Sequence, residues 1–220
     1  MTACRCTERH APKRIVLTGG PGAGKTAVLE LLRKTLCEHV RVVPESAGIL
    51  FGGGFPRIAA IETQRAAQRA IFHVQRELEA AMVTANAAIE LCDRGTVDGL
   101  AYWPGPGDLW SAVGTTHAEE LARYAAVIHL RTPPLNGGYN HQNPLRIETA
   151  AEAAAIDARI ADAWAGHPRR FEVGATADFL AKATRAIEIL RAELPACCRF
   201  QLGAGTGARA ADGDGVSAVP

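Results

Sequence analysis

Apolar residues along the chain follow two alternating rhythms. Short, β-branched or fully apolar runs lie near residues 14–18, 40–44, 88–92, 126–130 and 170–173. Each is four or five residues long and bounded by polar or turn residues, the pattern of a strand buried on both faces. Between them the spacing changes to three and four. Val28, Leu29, Leu32 and Leu36 predict an amphipathic helix from Lys25 to about His39. A long helix over 57–86 has Ile71, Val74, Leu78 and Met82 as its expected buried stripe, with Gln64, Arg65, Gln68, Arg69 and Arg76 facing elsewhere. Helices are also predicted near 117–124 and over 148–166, the second with Ile156, Ile160 and Trp164 on one face and His167-Pro168 as its stop. Thr176 or Asp178 can cap a last helix whose apolar line is Leu180, Ala183, Ile187 and Leu190.

Strands alternating with helices imply an α/β fold: a five-stranded parallel sheet with helices on both faces. Three stretches interrupt the rhythm. Phe51–Pro56 reads as a flexible loop with aromatic ends, Tyr102–Gly107 as a turn-rich loop, and Arg131–Pro144 as a polar excursion carrying Tyr139 and His141. Residues 1–12 read as a flexible leader, 13–195 as one domain, and 196–220 as a Gly/Ala-rich tail too poor in bulky apolar residues to order itself. No internal repeat is visible.

The first apolar run leads straight into Gly19-Gly20-Pro21-Gly22-Ala23-Gly24-Lys25-Thr26, the spacing GxxxxGKT between a strand and a helix. Glycines let successive backbone N–H groups turn inward around phosphate oxygens, and the helix N-terminus adds its positive dipole. Lys25 is placed to reach the β- and γ-phosphates, and the Thr26 hydroxyl to ligate Mg²⁺. The reading is therefore a P-loop NTPase three-layer sandwich that takes ATP or GTP with Mg²⁺. Ligands of such sheets sit beyond the carboxyl ends of the strands. Glu45, Asp93-Arg94, Arg131 and 174–176 all fall at such ends.

Composition narrows the partners. A formal net charge of +1 gives no global attraction for nucleic acid or an anionic membrane, so no nucleic acid is expected. No apolar run approaches the ~20 residues of a membrane span, and Met1–Lys13 lacks the apolar core of a secretory signal, which together imply a cytoplasmic location. Cys4, Cys6, His10 and the Cys197-Cys198 pair are poorly spaced for a zinc knuckle, so exposed tail thiols are the expectation for them.

Asp93 closes the third apolar run, where a carboxylate would hold Mg²⁺ beside a phosphate loop; Asp98 reads as a solvated loop residue. Glu45 directly follows the second run. Phosphoryl transfer to a hydroxyl needs a carboxylate to orient the attacking group or take its proton, although a Glu after Pro44 can also simply form a turn. Arg146, after the polar excursion, is the candidate lid arginine, in competition with Arg131 and Arg159. Phe51, Phe55, Tyr102 and Trp103 can stack on a ring or anchor their loops.

The run Arg14–Thr26, then Val-Val-Pro-Glu-Ser-Ala at 42–47, Cys-Asp-Arg-Gly-Thr-Val-Asp-Gly-Leu-Ala-Tyr at 92–102 and Asp-Phe-Leu-Ala-Lys at 178–182 resemble the NadR/Ttd-type AAA-domain family of small P-loop NTPases, over about residues 13–193. Relatives of that pattern include nicotinamide riboside kinase domains and, more distantly, nucleoside and thymidylate kinases. The resemblance implies transfer of phosphate to a small hydroxyl-bearing metabolite, with Glu45 near the acceptor hydroxyl, Arg94 near acceptor or phosphate, and Arg146 on the lid. It also implies an alternative, since one relative is described as binding GTP and phosphoinositides: a nucleotide-hydrolysing switch or binding module without an acceptor. The guanine-reading Asn/Thr-Lys-x-Asp tetrad is absent, and the 174–178 loop carries no distinctive base-reading side chain.

Overall fold

The computed structural model describes residues 6, 8–82, 87–133, 149–174 and 178–199. Five strands, β1 (Lys13–Thr18), β2 (Val40–Val43), β3 (Ile89–Asp93), β4 (Ala126–Leu130) and β5 (Arg170–Val173), form one sheet in the order β2-β3-β1-β4-β5, every pair parallel. Period-two alternation within each strand splits the core in two. Ile15, Leu17, Ile89, Leu91, Ile128 and Leu130 face helix α1 (Lys25–Thr35), helix α7 (Phe179–Glu193) and the short helix α8 (Ala196–Arg199). Val16, Cys92 and Val127 face the opposite layer, made by helix α3 (Ile61–Ala81), helix α4 (Leu109–Val113) and helix α6 (Ala150–Ala163). Two further helices, α2 (Ser46–Gly52) and α5 (His117–Ala122), and a 3₁₀ turn over Thr96–Tyr102 complete the chain. Among the described residues no helix is long and apolar enough to cross a membrane.

The strands and the two helix layers match the sequence pattern, and the departures have local causes. α2, α4 and the 3₁₀ turn lie in stretches too short to show a period, and α2 occupies part of the expected 51–56 loop. α3 begins at Ile61 rather than 57, leaving Pro56–Ala60 as a loop. Its most buried line is Ala67, Phe72, Gln75 and Glu79 rather than Ile71-Val74-Leu78-Met82, because Gln75 and Glu79 find buried hydrogen-bond partners. Leu180, expected in the apolar line of α7, is 69% exposed; Asp178 caps that helix by accepting from the Leu180 N–H at 2.8 Å.

A short helix, α8, lies within the expected tail, and its Cys198 is fully buried. Cys6 and Cys197 are half-buried rather than exposed, and the His10 ring packs edge-on against His39. Cys4, Tyr139, His141, Arg146, Thr176 and the chain from 200 lie outside the described residues.

Candidate active site

Gly19–Thr26 arches over the carboxyl end of β1 and leads into α1. Gly19 has φ +146°, and a Cβ there would stand 2.1 Å from the Leu130 carbonyl oxygen, so both the conformation and the closeness of β4 exclude a side chain. The loop is braced from below. The buried Asp157 carboxylate of α6 accepts from the Gly20 N–H at 2.8 Å and from His129 Nε2 at 2.8 Å, and pairs with Arg131 Nε at 3.2 Å. From the other face of the sheet, Lys182 Nζ of α7 donates to the Ala23 carbonyl at 2.8 Å and to that of Arg131.

Lys25 folds back over its own loop, donating to the carbonyl oxygens of Gly19 at 2.8 Å and Gly20 at 3.3 Å. Burial lowers its ammonium to about 8, and the nearby Arg94 adds to that shift. At the end of β3, burial pushes the Asp93 carboxyl up to about 6 against the pull of Lys25. Its Oδ1 is buried without a hydrogen-bond partner. Such an oxygen, beside an exposed Thr26 and a phosphate-type loop, suits an ion held through Thr26 and Asp93.

Arg94 links the strand ends. It sits at φ +71°, a costly conformation for a side chain of this size, secured by its N–H bond to the Leu17 carbonyl at 3.1 Å. Its Nε donates to Glu45 Oε1 at 2.7 Å and its Nη1 to Asp98 Oδ2 at 3.1 Å. Burial alone would raise the Glu45 carboxyl, but Arg94 and then Lys25 hold it below the usual carboxylate range. Asp98 is not solvated. It is buried, accepting from Thr18 Oγ1 and Trp164 Nε1, both at 2.6 Å. Gly95 makes this packing possible, since a Cβ there would meet the Trp164 ring and Val16 at 2.9 Å.

These groups line a cavity of about 790 Å³, within the range of small-molecule sites. Its wall also includes Phe51, Arg57, Gln64, Gln68, Tyr102 and Trp103. Arg57 lies over the Phe51 ring at 4.2 Å, and Trp103 Nε1 is a buried donor without a partner. Phe55 packs edge-on to Phe51, 6.4 Å between centroids, and does not line the cavity. Of the competing arginines, Arg159 lines the cavity with its Nε bound to the Ala101 carbonyl, while Arg131 is held by Asp157.

Thus Lys25, Thr26, Glu45, Asp93 and Arg94 come together, although they derive from three different strand ends. Sequence reasoning missed Asp157, His129, Gln64, Gln68 and the bracing role of Lys182. Asp157 sits in an alanine-rich helical run with no local pattern to mark it; Lys182 belongs to a recognisable run but gives no sign of reaching back 159 residues.

A family model described as "AAA domain" matches residues 14–180. No curated protein matches the chain. Among solved structures, a NadR protein in complex with NR is similar with a TM-score of 0.65 at 14% identity, over 83% of this chain and 51% of that one. A NadR protein in complex with NAD and AMP-PNP gives 0.58 at 15% identity, over 83% and 49%. The deoxyadenosine kinase from M. mycoides with bound dATP gives 0.57 at 14% identity, over 81% and 98%. The chain therefore spans about half the length of the NadR chains, and at these identities the likeness is one of fold: an α/β sandwich around a parallel sheet.

Proposed function

The chain belongs to the AAA-domain family, and from that premise we propose that it is a Mg²⁺-dependent phosphotransferase moving the γ-phosphoryl group of ATP, or of GTP, to a hydroxyl of a small metabolite. One observation carries the proposal. The Glu45–Arg94 pair, the phosphate-type loop and a wall that bears aromatic and amide side chains all line one cavity of about 790 Å³, so an acceptor has room beside the transferred group. Hydrolysis of nucleotide alone does not need that wall. The adenine nucleotides in the neighbouring folds favour ATP.

In this reading the N–H groups of Gly19–Thr26 hold the phosphates, and the Lys25 ammonium leaves its loop carbonyls for the β- and γ-oxygens. Thr26 and Asp93 would hold Mg²⁺, which supplies charge neutralisation at the phosphates when bound. The acceptor oxygen attacks the γ-phosphorus while its proton passes to the Glu45 carboxylate. The new O–P bond replaces the bond to the bridging oxygen, and the nucleoside diphosphate leaves. Arg94 keeps Glu45 ionised and so ready to accept, and Arg146 is the proposed lid arginine over the transferred group. The proposed working unit is the single P-loop domain, and its proposed location is the cytoplasm.

The test is a panel of nucleosides, ribosides and other small hydroxyl compounds incubated with γ-labelled ATP or GTP and Mg²⁺. Label on a metabolite is expected. Label released only as inorganic phosphate across the panel would replace the kinase reading with the nucleotide switch.

A further inference from the structure

At the opposite end of the sheet from the phosphate loop, three distant parts of the chain bring sulfur and imidazole together. Cys6 and His10 come from the segment before β1, Cys37 and His39 from the turn between α1 and β2, and Cys197 and Cys198 from α8. Three sets of three have their ligand atoms mutually within 4.8 Å: Cys6, His10 and His39; His10, Cys197 and Cys198; Cys37, His39 and Cys198. Sequence spacing spoke against a metal here because the ligands arrive as separate pairs. Only the fold places these pairs side by side.

We propose that this cluster is a structural binding site for one borderline-soft divalent cation of the Zn²⁺ class, with Cys6, His10, Cys197 and Cys198 as ligands. The separations fit. Around tetrahedral zinc, with Zn–S about 2.3 Å and Zn–N about 2.0–2.1 Å, neighbouring ligand atoms stand roughly 3.5–3.8 Å apart. His10 Nε2 lies 3.5 Å from Cys6 Sγ and 3.5 Å from Cys197 Sγ, and the two vicinal sulfurs are 3.9 Å apart. His10, His39 and Cys198 each belong to two of the three sets, and Cys197 shares one set with His10 and Cys198. Cys6, 3.5 Å from the same His10 nitrogen, is the proposed fourth ligand.

Cys37 and His39 stand behind Cys198, with Cys37 Sγ 3.8 Å from His39 Nδ1. The backbone fixes both: the Cys37 carbonyl accepts from Val40 N–H, and the His39 carbonyl accepts from Ala88 N–H at 2.8 Å and Ile89 N–H at 3.1 Å. They therefore hold a rigid floor at the starts of β2 and β3 against which the other two segments are pinned. Thiols and imidazoles rather than carboxylates make up the donor set, which selects zinc-like ions over Mg²⁺ or Ca²⁺. The ion would tie the segment before β1 to α8 at the amino ends of the strands. Chelation should then loosen the fold without emptying the nucleotide site.

The experiment uses the full chain, reduced and stripped with chelator, then titrated with Co²⁺ and back-titrated with Zn²⁺. One equivalent of Co²⁺ should produce a thiolate-to-cobalt charge-transfer band with intense visible d–d bands, bleached by one equivalent of Zn²⁺ and accompanied by a rise in Tm. His10→Ala and Cys198→Ser should abolish the charge-transfer band. Cys37→Ser and His39→Ala should weaken Zn²⁺ binding by roughly 10–100-fold, as for groups that support ligands from behind. His10 is half-exposed, so its variant tests the site even if loss of the buried Cys198 prevents folding; nucleotide binding reports that the variant is folded. No thiolate band at stoichiometric Co²⁺ overturns the proposal, and so does a band that survives both substitutions.

Discussion

Two arginine–carboxylate networks in this molecule use the same residue types for opposite ends. On the α3 side of the sheet, Glu79 and Glu120 are fully buried and have all four oxygens engaged. Glu79 accepts from Gln75, Tyr124 and Arg123, while Glu120 accepts from Arg76, Thr96, Thr115 and Arg123. At the carboxyl end, Glu45 keeps 37% of its side chain exposed, Asp93 Oδ1 has no partner, and Lys25 is parked on loop carbonyls. Both carboxylates of the first network are fully partnered and tie α3 to α5, although Gln75 Oε1 beside them has no partner. The second leaves carboxylate oxygens open that, under the proposed function, an ion and an acceptor would engage. Incomplete satisfaction, rather than charge itself, separates a site from a structural pair.

The comparison breaks most visibly at Lys25. Lys25→Ala should remove binding of an ATP or GTP analogue in calorimetry while the fold, read by circular dichroism, persists. Unchanged affinity in a folded variant would mean that the carboxyl-end network is not a nucleotide site.

Paired carboxylate changes sharpen it further. Glu45→Gln should lower phosphoryl transfer by about 10²–10⁴-fold with nucleotide affinity within a few-fold. Glu79→Ala takes an acceptor from Gln75 and Tyr124 and leaves Arg123 with Glu120, and should cost about 1–3 kcal/mol in denaturant unfolding, the range for buried groups that lose a partner. If Glu45→Gln lost stability and kept its turnover, the two networks would not differ in kind.

The smallest effect is in pH. Lys25 must be an ammonium to hold phosphates, and in the free protein half of it is neutral at about 8. Nucleotide affinity should therefore fall by up to roughly tenfold per pH unit above that point, the limit for one linked proton. Stability without nucleotide should run the other way. Between about 8 and the ordinary 10.5 the folded chain binds fewer protons at Lys25 than the unfolded one, so unfolding becomes harder as pH rises through that window. Calorimetry on the unaltered protein reads the affinity trend, and Lys25→Met should flatten the stability trend in a pH series of denaturant melts.

Much of this was legible in the residues themselves. Strand runs with period two and helices with period three to four are local properties of the chain, and so is the GxxxxGKT loop, whose glycines and Lys-Thr pair need only a strand before and a helix after. Glu45, Asp93 and Arg94 were also within reach, because a parallel sheet collects its strand ends along one edge and all three stand at such ends. The aromatic and amide wall of the cavity was not, since Gln64 and Gln68 reach it only through the docking of α3 beside the 3₁₀ turn that carries Tyr102. Nor were Asp157 and Lys182, which brace the phosphate loop from two faces of the sheet across separations of 137 and 159 residues. The cysteine–histidine cluster went further still: its pairs carry no zinc-like spacing along the chain and meet only where α8 folds back to the start of β2. Periodicity and short motifs depend on neighbours along the backbone, so the sequence determines them alone. Contacts between remote segments depend on how whole elements dock, and that was decided by the tertiary structure.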